Sequence, residues 1–299
     1  MSQTQKLLDK VSLAQDDSLE QMKTQGIVKD SPFILNGTIS IVGNIGSGKT
    51  SLIAKLLVIY STVKKDDLDI FYFHNGIMDG TMAENINKYK LEIVSITGQY
   101  MEEFIKKYRA LKTTVIELYK YLMRDDYWSE TLTEIKANLS TDSILPFAKE
   151  MIKKHSVPAE IKVGNKGFTI KAIIDLKSKD IVPSLMVFDD ITQFKGFTGK
   201  YANSFFKELT ANTRHFCNTS IFSMQRFTYL QKDVRVLSNT WCLGYGIAED
   251  DIKDLFKQSI AVGGYSTNDL IHLYDKVEKY NFLVINSGME KVEYIKVNL

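Results

Sequence analysis

Residues 38–57 carry the sequence TISIVGNIGSGKTSLIAKLL, and this stretch decides the fold. Its first five residues are mostly β-branched, as in a strand that is buried on both faces. Glycines and small polar residues then occupy 43–50, and apolar residues recur at helical spacing from Ser51 to Leu57. A strand, a glycine-rich loop and a helix in this order predict a P-loop, a backbone cradle for phosphate groups.

The loop over 43–50 matches the pattern G-x-x-x-x-G-K-[ST], with Lys49 and Thr50 at its end. Because glycine has no Cβ, such a loop curls until its N–H groups point at phosphate oxygens. We expect Lys49 to place a positive charge at the β- and γ-phosphates of ATP, and the Thr50 hydroxyl to bind Mg²⁺. The predicted nucleotide-binding residues are Gly43, Asn44, Ile45, Gly46, Ser47, Gly48, Lys49, Thr50 and Ser51.

A second acidic motif follows an apolar strand far along the chain, at Asp189 and Asp190. Acidic residues at this place in a P-loop enzyme bind the metal and activate the attacking water. We therefore expect Asp189 to hold Mg²⁺ through water and Asp190 to act as the base. The alternative is a pair of acids that only caps the next turn.

Gln225 ends the next predicted strand, where its amide could lie beside the γ-phosphate and respond to its loss. The alternative is a polar residue that simply leaves the strand. Arg214 lies late in the helix before that strand, and Arg226 and Arg235 follow it. Each of the three is a candidate arginine finger, a guanidinium that a neighbouring subunit offers to the transferred phosphate. An ordinary surface arginine is the competing interpretation for each.

Residues 194–200, FKGFTGK, combine two cations, two aromatic rings and two glycines directly after the acidic motif. Lys195 and Lys200 could contact a nucleic-acid backbone, because phosphate contacts need cations on an adaptable segment. An ordinary surface loop is the alternative.

The composition excludes several classes of protein. The 299 residues carry a formal net charge of +2, which neither shows nor excludes a nucleic-acid binder. Two cysteines provide no disulfide framework, and the four histidines show no metal-ligand spacing. The first residues contain no apolar signal segment, and no apolar run is long enough to cross a membrane. We expect a protein of a reducing compartment with no membrane partner.

The remaining pattern predicts an α/β fold with a mostly parallel central sheet flanked by helices. Residues 1–31 are predicted to be a tail or a short helix, and 32–299 a P-loop ATPase domain. Further strands are expected at 69–74, 91–96, 184–190 and 219–225, and helices at about 200–216, 249–258 and 267–278. An insertion at about 98–180 would hold a helix over 98–124 and a hairpin near 163–174. Residues 280–297 are expected to form a C-terminal β-hairpin.

The order of these motifs resembles the viral genome-packaging ATPases of the poxvirus group, within the FtsK/HerA superfamily of ring-forming DNA translocases. Beyond the P-loop, the most specific segment is Thr213 to Ile221, TRHFCNTSI, which leads to Gln225; Arg235 follows. The resemblance covers roughly 32–96 and 183–260, and loosely the C-terminal hairpin.

This resemblance implies that ATP hydrolysis drives double-stranded DNA into a preformed capsid. It implies Lys49 and Thr50 at the phosphates and Mg²⁺, Asp189 at the metal, Asp190 as base and Gln225 as sensor, with Arg214 as the preferred finger. The implied partners are double-stranded DNA, further copies of the chain in a pentameric or hexameric ring, and a capsid vertex or portal protein. The implied location is the cytoplasm of an infected cell or a viral factory.

Two other classes remain open from the sequence. One is another DNA-pumping ATPase, for plasmid transfer or segregation, which shares every motif above. The other is a P-loop nucleotide kinase, which should carry an arginine-rich lid that this sequence lacks. A GTPase is disfavoured because the chain has no Asn-Lys-x-Asp motif for guanine.

Overall fold

The computed structural model of the protein describes residues 31–64, 68–124, 159–170, 174–175, 180–181, 183–190, 204–213 and 216–297. The helices are α1 (Lys49–Lys64), α2 (Gly80–Tyr89), α3 (Gly98–Arg124), α4 (Ser204–Ala211), α5 (Lys232–Val236), α6 (Glu249–Gln258) and α7 (Thr267–Tyr274). A short 3-10 helix lies at Phe227–Tyr229.

The strands are β1 (Thr38–Val42), β2 (Asp69–His74), β3 (Val94–Thr97), β4 (Ala159–Val163), β5 (Lys166–Ile170), β6 (Ile174–Asp175), β7 (Asp180–Ile181), β8 (Ser184–Phe188), β9 (Asn218–Met224), β10 (Thr240–Gly244), β11 (Asn281–Asn286) and β12 (Lys291–Lys296). Eight of them form one sheet in the order β12-β11-β10-β1-β9-β8-β2-β3. The six strands from β10 to β3 in this order pair in parallel, and the β11–β12 hairpin adds an antiparallel edge.

The strands are buried on both faces because their side chains alternate between two hydrophobic cores. On β2, Ile70 and Tyr72 join the core that α1 and α2 cover, and Phe71 and Phe73 join the core that contains α3 and α4. Every residue of β1, β2, β8, β9 and β10 is buried. Helices on both faces of a mostly parallel sheet confirm the predicted α/β architecture.

Several elements lie where the sequence predicts them. The strands at 38–42 and 69–74 and the helices at 98–124 and 249–258 have the expected bounds, whereas the strand expected at 184–190 ends at Phe188. The third strand begins three residues later than expected, and the fourth helix is shorter than the predicted 200–216. The C-terminal hairpin is present as β11 and β12.

Sequence reasoning missed β10 and α2. The five residues of β10, TWCLG, lie beside β1 within the sheet, yet Thr240 is their one β-branched residue and the run ends in glycine, so it lacks the composition typical of a strand. The helix α2 is mostly polar. Its N-cap is Asp79, whose side chain accepts hydrogen bonds from the N–H groups of Thr81 and Met82. Such an N-cap is the signal from which α2 could have been predicted.

The predicted insertion is described only in part. Helix α3 packs on the sheet, where Phe104 and Tyr108 contact Phe71 at ring-centroid distances of 5.0 and 4.7 Å. The predicted hairpin forms as β4 and β5, which a two-residue turn at Gly164 and Asn165 connects. Residues 125–158 and the predicted tail at 1–30 lie outside the described part of the chain, so these domain boundaries stay predictions.

Within the described ranges, no helix is long and apolar enough to cross a membrane. Among the same residues, no group of three or more histidine, cysteine, aspartate or glutamate side chains could hold a metal ion by itself. In this part of the chain, Cys217 and Cys242 form no disulfide bond.

Candidate nucleotide-binding site

The candidate site lies at the carboxyl edge of the parallel strands, where β1, β9 and β8 end side by side. The P-loop follows β1, Gln225 follows β9, and the acidic pair follows β8. The Gly43 N–H group donates to the carbonyl of Met224 at 3.2 Å, so the start of the P-loop lies directly beside Gln225. The strand order therefore brings together three motifs that are distant in sequence. The acidic pair lies about 140 residues after the P-loop, and Gln225 lies about 35 residues after the acidic pair.

The P-loop is curled around its own lysine. Lys49 Nζ donates to the carbonyls of Gly43 at 2.7 Å and of Asn44 at 3.0 Å. Burial lowers the pKa of Lys49, and the nearby carboxylates of Asp189 and Asp190 oppose this effect. The lysine thus lies within the field of the acidic pair, as the sequence predicts.

The structure explains why position 48 of the P-loop is a glycine. Its φ of 95° is a conformation that L side chains rarely adopt, and a Cβ there would lie 3.1 Å from Cδ1 of Tyr280. Tyr280 immediately precedes β11, so the C-terminal hairpin packs against the end of the P-loop. Sequence reasoning gave no role to this tyrosine.

Asn44 ties the P-loop to the segment that follows β10. Its backbone N–H donates to the carbonyl of Tyr245 at 3.3 Å, and its side-chain amide donates to the carbonyl of Gly246. Tyr274 holds the same segment from the other side, donating to the carbonyl of Gly244 and accepting from the N–H group of Ile247. Asn44 is therefore a structural brace of the cradle as well as a member of it.

Asp189 is held by its neighbours on both sides. Its N–H group donates to the carbonyl of Phe73 at 3.1 Å, and its Oδ2 accepts from the hydroxyl of Tyr72 at 2.5 Å. Burial raises the pKa of Asp189, the hydroxyls of Tyr72 and Ser223 lower it, and the carboxylates of Asp190 and Asp79 raise it further. Ser223 Oγ is buried beside the carboxyl without a well-formed hydrogen bond.

Asp190 has a φ of 48°, in the left-handed region that aspartate tolerates better than most residues. The backbone therefore leaves the extended conformation of β8 directly after Asp189. Two carboxylates with different backbone settings suit two different roles, one at the metal and one at the water.

The donors at this site fit Mg²⁺. Thr50 is the second residue of α1, and β9 separates β1 from β8, so Thr50 and Asp189 lie at the same edge of the sheet. Mg²⁺ prefers oxygen ligands and commonly takes only one or two carboxylates from the protein, keeping its waters and the phosphates of the substrate. A small all-oxygen set of this kind matches that preference.

Two of the three candidate arginine fingers, Arg226 and Arg235, contact residues of this same chain. Arg226 forms a bidentate ion pair with Asp251, with N–O distances of 3.0 and 3.1 Å. Arg235 is half-buried, with its guanidinium carbon 4.9 Å from the ring centroid of Phe227. Arg214, Lys195 and Lys200 lie outside the described residues, so their roles stay predictions.

No protein-family model and no curated protein match this sequence significantly. Among solved structures, EssC from Geobacillus thermodenitrificans (ATPases 2 and 3) is similar with a TM-score of 0.51, at 13% identity, over 88% of this chain and 40% of that one. The DNA-packaging ATPase B204 from Sulfolobus Turreted Icosahedral Virus has a TM-score of 0.48, at 12% identity, over 88% of this chain and 98% of its own. B204 of Sulfolobus turreted icosahedral virus 2, in complex with ATP-gammaS, has a TM-score of 0.49, at 14% identity, over 88% and 98%.

The likeness to EssC shows that the fold is one found in ATPase domains, as the P-loop and the strand order indicate.

We predict that Asn44→Ala weakens the binding of a fluorescent, non-hydrolysable ATP analogue about 5- to 10-fold, because the cradle loses the hydrogen bond that preorganises it. The matched control is Asn85→Ala on α2, which also removes an amide bond to a backbone carbonyl. Equilibrium titration measures both affinities. Equal affinities for Asn44→Ala and the unaltered protein would show that the brace is not needed.

Proposed function

We propose that this protein is an Mg²⁺-dependent ATPase that moves double-stranded DNA, and that its task is to package a viral genome into a preformed capsid. The observation that carries the ATPase proposal is the convergence of Lys49, the acidic pair and Gln225 at one sheet edge. The resemblance of the segment from Thr213 to Gln225 to packaging ATPases supports the DNA-moving part.

The chemistry follows from the positions of these groups. N–H groups of the P-loop and the Lys49 ammonium would hold the phosphate chain and offset its charge. A water attacks the γ-phosphorus, the bond to the β-phosphate oxygen breaks, and Asp190 takes the proton of the water. Gln225 follows β9, the strand between the P-loop and the acidic pair, so its amide suits a group that responds when phosphate leaves.

Mg²⁺, when bound with ATP, would supply positive charge that offsets the negative charge of the phosphates. Thr50 and Asp189 are the residues of this chain that would hold it. Because Asp189 lies at the end of a fully buried strand, its carboxyl group is fixed before the nucleotide arrives.

The position of the segment around Arg214 favours a role in a neighbouring subunit. Thr213 and Phe216 lie at the amino end of β9, where the Asn218 N–H group donates to the carbonyl of Thr213 at 2.8 Å. The P-loop lies at the opposite end of this strand, about 20 Å away for seven extended residues. The described neighbours Thr213 and Phe216 are thus far from the P-loop of their own chain, which supports the proposal that Arg214 acts on the phosphates of the next chain in a head-to-tail ring.

Such a ring would place further copies of this chain around double-stranded DNA, with a capsid vertex or portal protein as the docking partner. We propose a pentamer or hexamer that acts in the cytoplasm of an infected cell or in a viral factory. Lys195 and Lys200 are the proposed DNA contacts, since they belong to the loop that follows the acidic motif in sequence.

The proposal is tested by ATP turnover with and without double-stranded DNA. We predict that DNA of any sequence stimulates turnover, that stimulation falls steeply between about 50 and 200 mM salt, and that Lys49→Ala has no turnover. A double Lys195→Ala, Lys200→Ala variant should lose DNA affinity but keep the basal rate. Turnover that DNA does not change would contradict the DNA-moving function and leave the ATPase standing, whereas phosphoryl transfer to a nucleoside monophosphate would identify a kinase.

The role of Asp190 has a separate test. We predict that Asp190→Asn binds ATP normally but turns over about 100-fold more slowly or worse, because the amide cannot accept the proton of the attacking water. Asp250→Asn, the same change at an exposed position on α6, is the control. Single-turnover kinetics separate binding from chemistry. If Asp190→Asn hydrolyses ATP as fast as the unaltered protein, another residue is the base.

The trans role of Arg214 is tested by mixing two inactive variants. Arg214→Ala keeps its P-loop and Lys49→Ala keeps its arginine, so about a quarter of the interfaces in an equal random mixture join two intact halves. We predict that the mixture recovers part of the ATP turnover while each variant alone has almost none. Mixed assemblies that form, shown by native mass spectrometry, yet stay inactive at every ratio would refute the trans role, and Arg235 would be tested in the same way.

A further inference from the structure

Tyr72 contacts the acidic motif from a neighbouring strand. Its hydroxyl donates to Oδ2 of Asp189 at 2.5 Å, although 117 residues separate the two in sequence. Tyr72 is fully buried, and its ring stacks on the imidazole of His74 at a centroid distance of 5.8 Å. His74 in turn shares a hydrogen bond of 2.8 Å with Ser95 Oγ on β3. Tyr72 therefore has contacts on both sides, with His74 towards β3 and with Asp189 after β8.

The register of the sheet explains this contact. Tyr72 pairs with Val187, and Phe73 pairs with Phe188, so Asp189 continues β8 just past the pair. Alternate residues of a strand share a face, which puts Val187 and Asp189 on the same face of the sheet as Tyr72. The hydroxyl of Tyr72 is therefore a diagonal cross-strand neighbour of the carboxyl group.

The sequence around Tyr72 indicates that the hydroxyl is needed, not only the ring. The strand reads Phe71-Tyr72-Phe73, and the two phenylalanines fill the opposite core. A phenylalanine would fill the position of Tyr72 equally well by volume, but it would leave Oδ2 of a buried carboxyl group without this partner.

We propose that Tyr72 is a positioning residue for Mg²⁺: by holding Oδ2 of Asp189, it fixes the carboxylate so that Oδ1 serves the metal side of the site. This inference rests on the proposed function, since it needs Asp189 to be the metal-binding carboxylate. Groups that orient a metal ligand commonly change metal affinity 10- to 100-fold when they are removed.

The test measures Mg²⁺ through nucleotide binding, without hydrolysis. A fluorescent, non-hydrolysable ATP analogue is titrated with Mg²⁺ in the unaltered protein and in Tyr72→Phe. We expect Tyr72→Phe to raise the Mg²⁺ midpoint about 10-fold or more, and to leave the affinity for the analogue in EDTA unchanged. A general loss of packing would weaken binding in EDTA as well, so the two readings distinguish positioning from structural support.

The matched control is Tyr60→Phe. Tyr60 is also buried, and its hydroxyl donates to the carbonyl of Ile34 at 2.9 Å, away from the acidic motif. The control should keep the Mg²⁺ midpoint. A double-mutant cycle with Asp189→Asn then tests the route, because Tyr72→Phe should add no further shift once the carboxylate is gone.

Each remaining outcome counts against the inference. An unchanged midpoint in Tyr72→Phe overturns it, and so does an equal shift in the presence and absence of the Asp189 carboxylate. If the unaltered protein binds no nucleotide at any Mg²⁺ concentration, the proposed ATPase function fails first and this inference with it. Binding that is tight and Mg²⁺-dependent, yet indifferent to Tyr72, would refute the role of Tyr72 alone.

Discussion

The site depends on one constraint, the position of β9 between β1 and β8. Neighbouring strands lie about 4.8 Å apart, so the ends of β1 and β8 are separated by about 10 Å. The P-loop and the acidic pair follow these two ends, so they are held apart by the width of one strand.

The pairing of β9 with its neighbours also decides which side chains share a face of the sheet at the site. Ile221 and Ser223 lie on one face of β9, and the alternation carries that face to Gln225 just beyond the strand. Tyr72 reaches this face from β2 because the register of β2 and β8 offsets it by two residues from Asp189. A slip of one residue in either pairing would turn the tyrosine or the carboxyl group into the opposite core. Register is therefore the property that assembles the site.

The sequence was sufficient for the parts of this arrangement that are local. The P-loop follows a strand whose apolar run has clear ends, so Thr38–Val42 could be predicted with its bounds, whereas the strand before the acidic pair ends two residues earlier than expected. Tyr72 could not be assigned a role, because its partner is 117 residues away and only the strand order makes them neighbours. Asn44 belongs to the predicted cradle, but its bond to Gly246 depends on β10, whose sequence TWCLG does not stand out as a strand. What escapes prediction is thus the pairing between distant strands.

The opposite edge of the sheet shows why β9 suits a connecting role. At its amino end, Ser184 Oγ donates to the amide oxygen of Asn218 at 3.0 Å, and the Asn218 amide donates to Ser220 Oγ at 2.8 Å. Lys112 is fully buried near this end, and burial lowers its pKa to about 8 although Asp69 and Cys217 oppose the shift. Buried polar groups with specific partners fix the position of a strand more sharply than apolar packing does. The strand that carries Gln225 at one end is therefore rigidly anchored at the other, where the segment around Arg214 begins.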